Sequence, residues 1–252
     1  LQKILRIATF NIHKGYTHFN AHFSLHHQRD LLQKLDTDIV FLQEVQDQHY
    51  QHPKRFNKWP IKGQVDFLAE SLWKDYRYGK NAIYPAGHHG NALLSKLPII
   101  HSENHDISAN TLEQRGMLHC VIEIQNWDAP LHCICVHLGL LANWRKQQLD
   151  KISHYIAQHV PNNAPLIVAG DFNDWSSRAG RSFASHLGLS EVFEHSTGKS
   201  ARSFPAILPI LRLDRIYTRG LKIQHAEVHG GVSHAGLSDH AVLTASISRQ
   251  PL

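Results

Sequence analysis

The feature that most constrains this chain is short. Pro165 to Ala169 is an unbroken apolar run, and it passes directly into Gly170-Asp171-Phe172-Asn173-Asp174. Such a run, closed by glycine, reads as a buried strand. On an extended backbone alternate side chains share a face, so Asp171 and Asn173 are expected to reach the same small object. Carboxylates are rarely placed against buried strands without partners, and the ends of strands are where α/β sheets build their sites. The expected object is a phosphate beside a divalent cation.

The same arrangement recurs along the chain. A strand over Lys3–Phe10 ends in Asn11-Ile-His-Lys-Gly15, and a strand over Asp38–Leu42 ends in Gln43-Glu44. The helix expected between them, Ser24–Leu35, carries Leu25, Leu32 and Leu35 on one face, so the three elements read as a parallel βαβ unit with its site at the strand ends. A helix is expected at Val65–Trp73. Strands are expected at Tyr76–Tyr84 and Gly90–Ser95, around a turn at Gly87-His-His-Gly90. Arg115–Ile124 alternates as a strand with unlike faces and pairs as a hairpin with Leu131–Leu138, which ends at His137. Asn143–Val160 is the clearest helix, and Ser182–Leu187 a shorter one. Leu213–Tyr217 opens on Asp214, Leu221–Val228 follows, and Ser238-Asp239-His240 precedes the last strand, Ala241–Ile247. Ser203–Leu211 is apolar but holds two prolines, which disfavour a central strand or a helix, so a loop is expected. Nothing divides the chain into domains, so one domain over 1–252 is expected, with two similar α/β halves.

Taken singly, each polar strand end has a plainer reading. Asn11 suits a turn, Glu44 a surface charge, His137 a core histidine, Asp171 or Asp174 a helix cap, Asp214 a partner for Arg215, and Asp239-His240 a strand cap. Their recurrence argues for one shared site. The residue types match phosphate ester hydrolysis, which needs charge on the phosphoryl oxygens offset and a water oriented. Glu44 is the foremost metal-ligand candidate, followed by Asn11 and Asp239. No Cys/His ligand spacing favours zinc, so the oxygen donors point to Mg2+ or Mn2+. Asp171 and Asn173 suit the water and the phosphate, and His240 with Asp214 makes an Asp–His pair.

In this combination the chain resembles the endonuclease/exonuclease/phosphatase superfamily, which includes deoxyribonuclease I. The motifs are Thr9-Phe-Asn11, Leu42-Gln-Glu44-Val45, Gly90-Asn91-Ala92, His137-Leu138, Gly170-Asp-Phe-Asn173, Leu213-Asp-Arg-Ile-Tyr217 and Ser238-Asp-His240, in the expected order. The resemblance implies a four-layer α/β sandwich, two packed mixed sheets flanked by helices. It implies Glu44 as the main metal residue beside Asn11 and Asp239. It further implies Asp171 and Asn173 at the nucleophile, His240 partnered by Asp214, and His137 at a strand end where abasic-site endonucleases lack histidine. Asn91 and Arg115 fall where family members contact phosphate or brace the site.

Composition narrows the rest only a little. A net charge of +5 suits a polyanionic partner. Three unpaired-looking cysteines in apolar segments fit a reducing, cytosol-like compartment, with peripheral attachment to the inner membrane left open. No run approaches membrane-spanning length, and a monomer is expected. The substrate is expected to be a phosphate ester, either nucleic acid or a phospholipid headgroup. Lys14, Lys54, Arg55, Lys58 and Trp59 are candidates to line a nucleic-acid groove, and Phe204–Leu211 to form an apolar rim for lipid. A phosphomonoesterase of the inositol-phosphatase type and a non-catalytic module for phosphorylated ligands are the alternatives.

Overall fold

The computed structural model describes residues 3–51, 59–60, 62–70, 72–234 and 236–250. The chain opens with strand β1 (Ile4–Asn11), helix α1 (Leu25–Leu35) and strand β2 (Ile39–His49). β1 and β2 are parallel, with Asn11 opposite Gln43, as the crossover helix requires. Helix α2 (Gln64–Ala69) leads to the hairpin β3 (Asp75–Tyr84) and β4 (Gly87–Ser95). The chain then builds a second sheet from β5 (Ile99–Asp106), β6 (Gly116–Ile122), β7 (Leu131–His137), helix α3 (Ala142–His159) and β8 (Leu166–Asp171). Helix α4 (Arg178–Leu187), the short strand β9 (Ser190–Glu191), helix α5 (Val192–Thr197) and β10 (Asp214–Arg219) complete it. The last strands are β11 (Leu221–His229) and β12 (Val242–Arg249).

The result is two six-stranded mixed sheets, ordered β11-β12-β1-β2-β4-β3 and β5-β6-β7-β8-β10-β9. Strand alternation decides the layering. On β1, Leu5 and Ile7 enter the layer between the sheets, while Ala8 and Phe10 pack outward against Leu25 and Leu32 of α1 and Leu68 of α2. On β8, Ile167 and Ala169 face the other sheet, while Leu166 and Val168 meet Leu149, Ile152 and Ile156 of α3. Each fully buried aliphatic chain of this kind contributes roughly 1.5–3 kcal/mol. Both faces of both sheets are therefore covered, which is the four-layer sandwich.

Four local expectations need correction. The two sheets do not follow two halves of the chain, because β11 and β12 return to the first sheet and β12 pairs antiparallel with β1. Gly87 to Gly90 lies within β4, and the hairpin turns at Pro85-Ala86 instead. β6 is buried on both faces, His119 and Val121 included, because α3 covers the side expected to be wet. Helix α5 occupies a stretch with no expected element.

Gly170 shows why the opening motif starts with glycine. Its φ is +148°, and a Cβ there would lie 1.9 Å from the Val136 carbonyl oxygen. Only glycine lets β8 lie this close to β7 with that backbone.

Candidate active site

The parallel pairing of β1 with β2 sets Asn11, the last residue of β1, beside Gln43-Glu44, which lie inside β2 because that strand runs on to His49 instead of ending at Leu42 as expected. Between Leu42 and Val45 the ladder from β2 to β4 gains a residue, since Leu42 opposes Ala92 and Val45 opposes Gly90. A bulge of this kind re-aims a side chain, and Glu44 takes a left-handed φ of +55°. In the second sheet His137, Asp171 and Asp214 form one rung. β7 and β8 are parallel with His137 opposite Asp171, and β8 and β10 are antiparallel with Asp171 opposite Asp214. Asp239 and His240 arrive from the loop that leads into β12.

At this site the Asn11 amide joins the sheets. Asn11 Nδ2 donates to Glu44 Oε1 (3.3 Å) on its own sheet and to Asp171 Oδ2 (3.1 Å) on the other. Within the first sheet, Ser238 ties the loop before β12 to β1, donating from Oγ to the Asn11 carbonyl (2.7 Å) and accepting from the His240 backbone N–H (3.3 Å). His240 Nδ1 lies 2.8 Å from Asp214 Oδ2, and its Nε2 lies 3.7 Å from Asp171 Oδ2. His137 Nε2 approaches the same Asp171 oxygen at 3.6 Å. Asp171 Oδ1 accepts the Asn173 backbone N–H (2.9 Å), and Asn173 Nδ2 donates to the Leu138 carbonyl (2.9 Å).

The structure also brings in residues that the sequence reading left at the margin. His13 Nδ1 sits 3.2 Å from Asp239 Oδ2 and 4.0 Å from Glu44 Oε2, and Lys14 Nζ is 3.5 Å from Glu44 Oε2. Both follow Asn11 in a turn with φ values of +46° and +56°. With Glu44 and Asn173 (φ +49°), these are four non-glycine residues in the left-handed region around one site. Strained backbone of this sort persists only where the surroundings impose it, and it gathers at functional sites. The sequence signal was the polar, glycine-closed end of the first strand; its spacing gave no hint that the turn would fold back over Glu44.

Burial and neighbouring charge set the protonation pattern. For His240, burial disfavours the charged ring, but Asp214 and Asp171 outweigh it and raise the pKa to about 10. His137 lies in the same dry region with Arg115 as its neighbour, and burial and that guanidinium hold it well below the ordinary histidine value. Arg115 Nη1 lies 3.5 Å from His137 Nδ1, so the neutral ring keeps its proton on Nε2, toward Asp171. Burial pushes Asp171 above the usual carboxylate range, against the pull of His240. Glu44 goes the other way. Burial raises it, but the neighbouring histidines and Lys14 outweigh burial and hold it low.

The remaining sequence candidates fall into place as follows. Asn91 is buried, and its Nδ2 donates across the sheet interface to the Gly116 (2.9 Å) and Cys135 (3.3 Å) carbonyls. Both N–H bonds are thus committed to backbone, the geometry of a brace. Arg115 pairs with Glu113 (2.6 Å) beside His137. Asp174 caps the start of α4, accepting the Gly180 N–H at 2.9 Å. Arg215 turns away from Asp214's carboxylate and donates to Ser177 Oγ (2.8 Å). Trp59 is buried and stacks on Phe23 at 5.2 Å, so it lines no groove. Lys54, Arg55 and Lys58 lie outside the described residues.

Asp171, Asp214 and His240 hold ligand-type atoms within 4.8 Å of one another. An imidazole carrying both protons has no lone pair to give a metal, so this trio is better suited to phosphate and water. Glu44 and Asp239 place further carboxylate oxygens beside this trio, both facing His13.

The family model for the Endonuclease/Exonuclease/phosphatase family matches residues 8–240. The chain is 43% identical over 242 residues to the uncharacterized protein YbhP of Escherichia coli (strain K12), covering 96% of this chain and 95% of that one. Among solved structures it superposes on the Bacteroides thetaiotaomicron mannosyl-6-phosphatase Bt3783 with a TM-score of 0.73 at 16% identity, covering 96% and 99% of the two chains. It superposes on D. rerio TDP2, complexed with a single strand DNA product, with a TM-score of 0.70 at 18% identity, covering 98% and 99%. These two likenesses establish the fold.

Proposed function

We propose that this chain, which belongs to the endonuclease/exonuclease/phosphatase family, hydrolyses phosphodiesters by attack of water on phosphorus. The observation that carries the reading is the Asn11 amide, which ties Glu44 to Asp171 across the two sheets and so puts a cation corner and a water-handling corner in one site.

The residues present fit a divalent cation. Glu44, Asp239, Asp171 and Asp214 gather their carboxyl groups here, opposed by the His240 ring, His13 and Lys14. Glu44 is held ionised and is 17% exposed, open enough for a ligand. Glu44 would hold the ion, with Asp239 and the Asn11 carboxamide beside it, and Mg2+ or Mn2+ matches these hard donors. When bound, such an ion supplies charge to the phosphoryl oxygens.

The chain's own groups do the rest. Asp171, with a raised pKa, is a stronger base than an ordinary carboxylate and accepts the proton of the attacking water. Two N–H donors, from Asn11 and from the Asn173 backbone, keep that carboxylate oriented. His240 stays an imidazolium because Asp214 stands behind it, and it offers Nε2–H to a phosphoryl oxygen. Neutral His137 offers a second Nε2–H on the other flank. Donors already aimed at developing charge are the largest single contribution in reactions of this class.

The test is hydrolysis of bis(p-nitrophenyl) phosphate in Mg2+ or Mn2+, with and without EDTA, beside the monoester p-nitrophenyl phosphate. Diester turnover that EDTA abolishes and Asp171→Asn lowers supports the reading. Faster turnover of the monoester moves the assignment to a phosphomonoesterase, and full activity in Asp171→Asn defeats it.

A further inference from the structure

Around this site the chain exposes more apolar surface than a soluble phosphate ester requires. Three separated segments converge on one side. Phe204 packs its ring 5.1 Å from His240, and the His18 ring lies 6.3 Å from Phe204 and 3.8 Å from Phe19. Beyond Phe204 the loop carries Ile207, Leu208 and Ile210, which are 53%, 71% and 56% exposed. The third segment joins through the Gly231 N–H, which donates to the Ala206 carbonyl (2.7 Å) and places the exposed Val232 alongside.

This apolar loop is fastened to the catalytic strands. Ala206 N–H donates to the Asp239 carbonyl (2.7 Å), Ala241 N–H to the Ser203 carbonyl (2.8 Å), and Ser203 Oγ accepts the backbone N–H of Asp214 (3.2 Å). The tip therefore stands at a set height over His240. On the opposite flank Trp175 directly follows the Gly170–Asp174 stretch and is 52% exposed, with Leu140 and Leu141 exposed nearby on the loop after β7. The Arg145 guanidinium lies 5.0 Å from the Trp175 ring centre. At the base of the loop is a groove of about 730 Å³ lined by Lys199, Arg202 and Arg212, with Glu227 as its one acid among the described lining residues.

Exposed apolar surface rimmed by cations marks an interaction site. An apolar tip flanked by basic residues matches an anionic bilayer, whose headgroups meet the cations while side chains enter the acyl boundary. Single-stranded nucleic acid would instead use stacked rings, and here exposed aliphatic side chains outnumber the two exposed aromatics, Phe19 and Trp175.

We infer that the physiological substrate is an anionic glycerophospholipid presented in a membrane surface. The 204–211 loop and the Trp175 flank seat the protein on the bilayer with the headgroup phosphodiester at His240. This rests on the phosphodiester reading above. Water supplies the oxygen of the new P–O bond, one ester P–O bond breaks, and the leaving alkoxide takes up a proton, so that an alcohol and a phosphomonoester result.

The test compares the full chain with Ile207→Ser/Leu208→Glu in Mg2+. Three readouts are needed: flotation with phosphatidylglycerol or phosphatidylcholine vesicles, headgroup release followed by 31P NMR, and hydrolysis of soluble bis(p-nitrophenyl) phosphate. Both positions are exposed, and circular dichroism checks that the variant folds. The expected result is flotation with phosphatidylglycerol and release of headgroup phosphate by the native chain. In the variant, vesicle turnover falls about tenfold or more beyond any change on the soluble diester. Equal vesicle turnover in the two proteins overturns the inference. So does oligonucleotide binding that the variant loses without any flotation, and so does a dimer that the variant dissolves without any flotation. Native protein that cleaves the soluble diester but leaves bound phosphatidylglycerol intact overturns the substrate assignment. Flotation with no turnover of either diester supports the membrane surface and sinks the hydrolase reading instead.

Discussion

Replacing Asp214 with asparagine isolates one charge in this site. The amide keeps the carboxylate's shape and an oxygen that still accepts His240 Nδ1–H, so the change is close to purely electrostatic. In the native protein burial opposes the imidazolium, and Asp214 is the largest influence against burial, ahead of Asp171. At 2.8 Å, two unit charges attract by roughly 6 kcal/mol at an effective dielectric of about 20. One pKa unit corresponds to about 1.4 kcal/mol, so this attraction is worth roughly four units. With the charges of Asp171 and Asp239 added, it offsets burial and lifts His240 from 6.5 to about 10. Without it, burial prevails and the ring falls to the ordinary histidine range or below. At pH 8 the variant then presents a neutral ring to the phosphoryl oxygen. The expected fall in kcat is about 10²- to 10³-fold, the usual effect of losing a donor aimed at transition-state charge. The assay is the pH profile of kcat/KM on bis(p-nitrophenyl) phosphate. In the native protein the alkaline decline tracks His240 near pH 10, and in the variant it moves to the neutral region or below. Stability moves with the same sign. A histidine raised in the fold stabilises fully below its unfolded pKa of 6.5, and that contribution is lost as pH rises through about 10. Near-native kcat/KM in the variant, with the alkaline limb unmoved, would refute this account of His240.

Other consequences follow from the same geometry. Millimolar Mg2+ or Mn2+ should raise the Tm of the native protein, and Glu44→Gln should abolish that rise; an unchanged rise in the variant by differential scanning fluorimetry would place the ion elsewhere. Asn91→Ala strands the Gly116 and Cys135 carbonyls between the sheets, so urea unfolding should show a loss of about 1–3 kcal/mol with KM little changed. A raised KM at native stability would make Asn91 a phosphate contact instead of a brace. Phe172→Ala empties a fully buried position that follows Asp171 and packs on Tyr217 at 5.1 Å. It should cost about 3–5 kcal/mol by the same measurement, and a cost under about 1 kcal/mol would contradict the packing.

The sequence by itself determined most of the segments that become strands and helices in the core, and which of them would close on polar residues. Hydrophobic period is a local property, and it marked β1, β8, β10 and α3 to within a few residues of their bounds, while β2 runs on to His49, well past the end of its apolar run at Leu42. The polar ends at Asn11, Glu44, His137, Asp171, Asp214 and Asp239-His240 were legible for the same reason, since charge beside an apolar run is conspicuous. Partner choice was not legible, because pairing joins residues far apart in the chain. Nothing local in β12 says that it lies against β1, or that Asn11 reaches Asp171, 160 residues away. The bulge that turns Glu44 is a mismatch between two strands and exists in neither alone. The positions of His13 and Lys14 depend on a left-handed turn that side-chain pattern does not announce. Asp214's choice of His240 over the adjacent Arg215 was settled by packing, which takes the arginine to Ser177 and leaves the carboxylate to the imidazole. The list of polar strand ends was therefore written in the chain, and their gathering into one place came from strand pairing and from the packing of the two sheets.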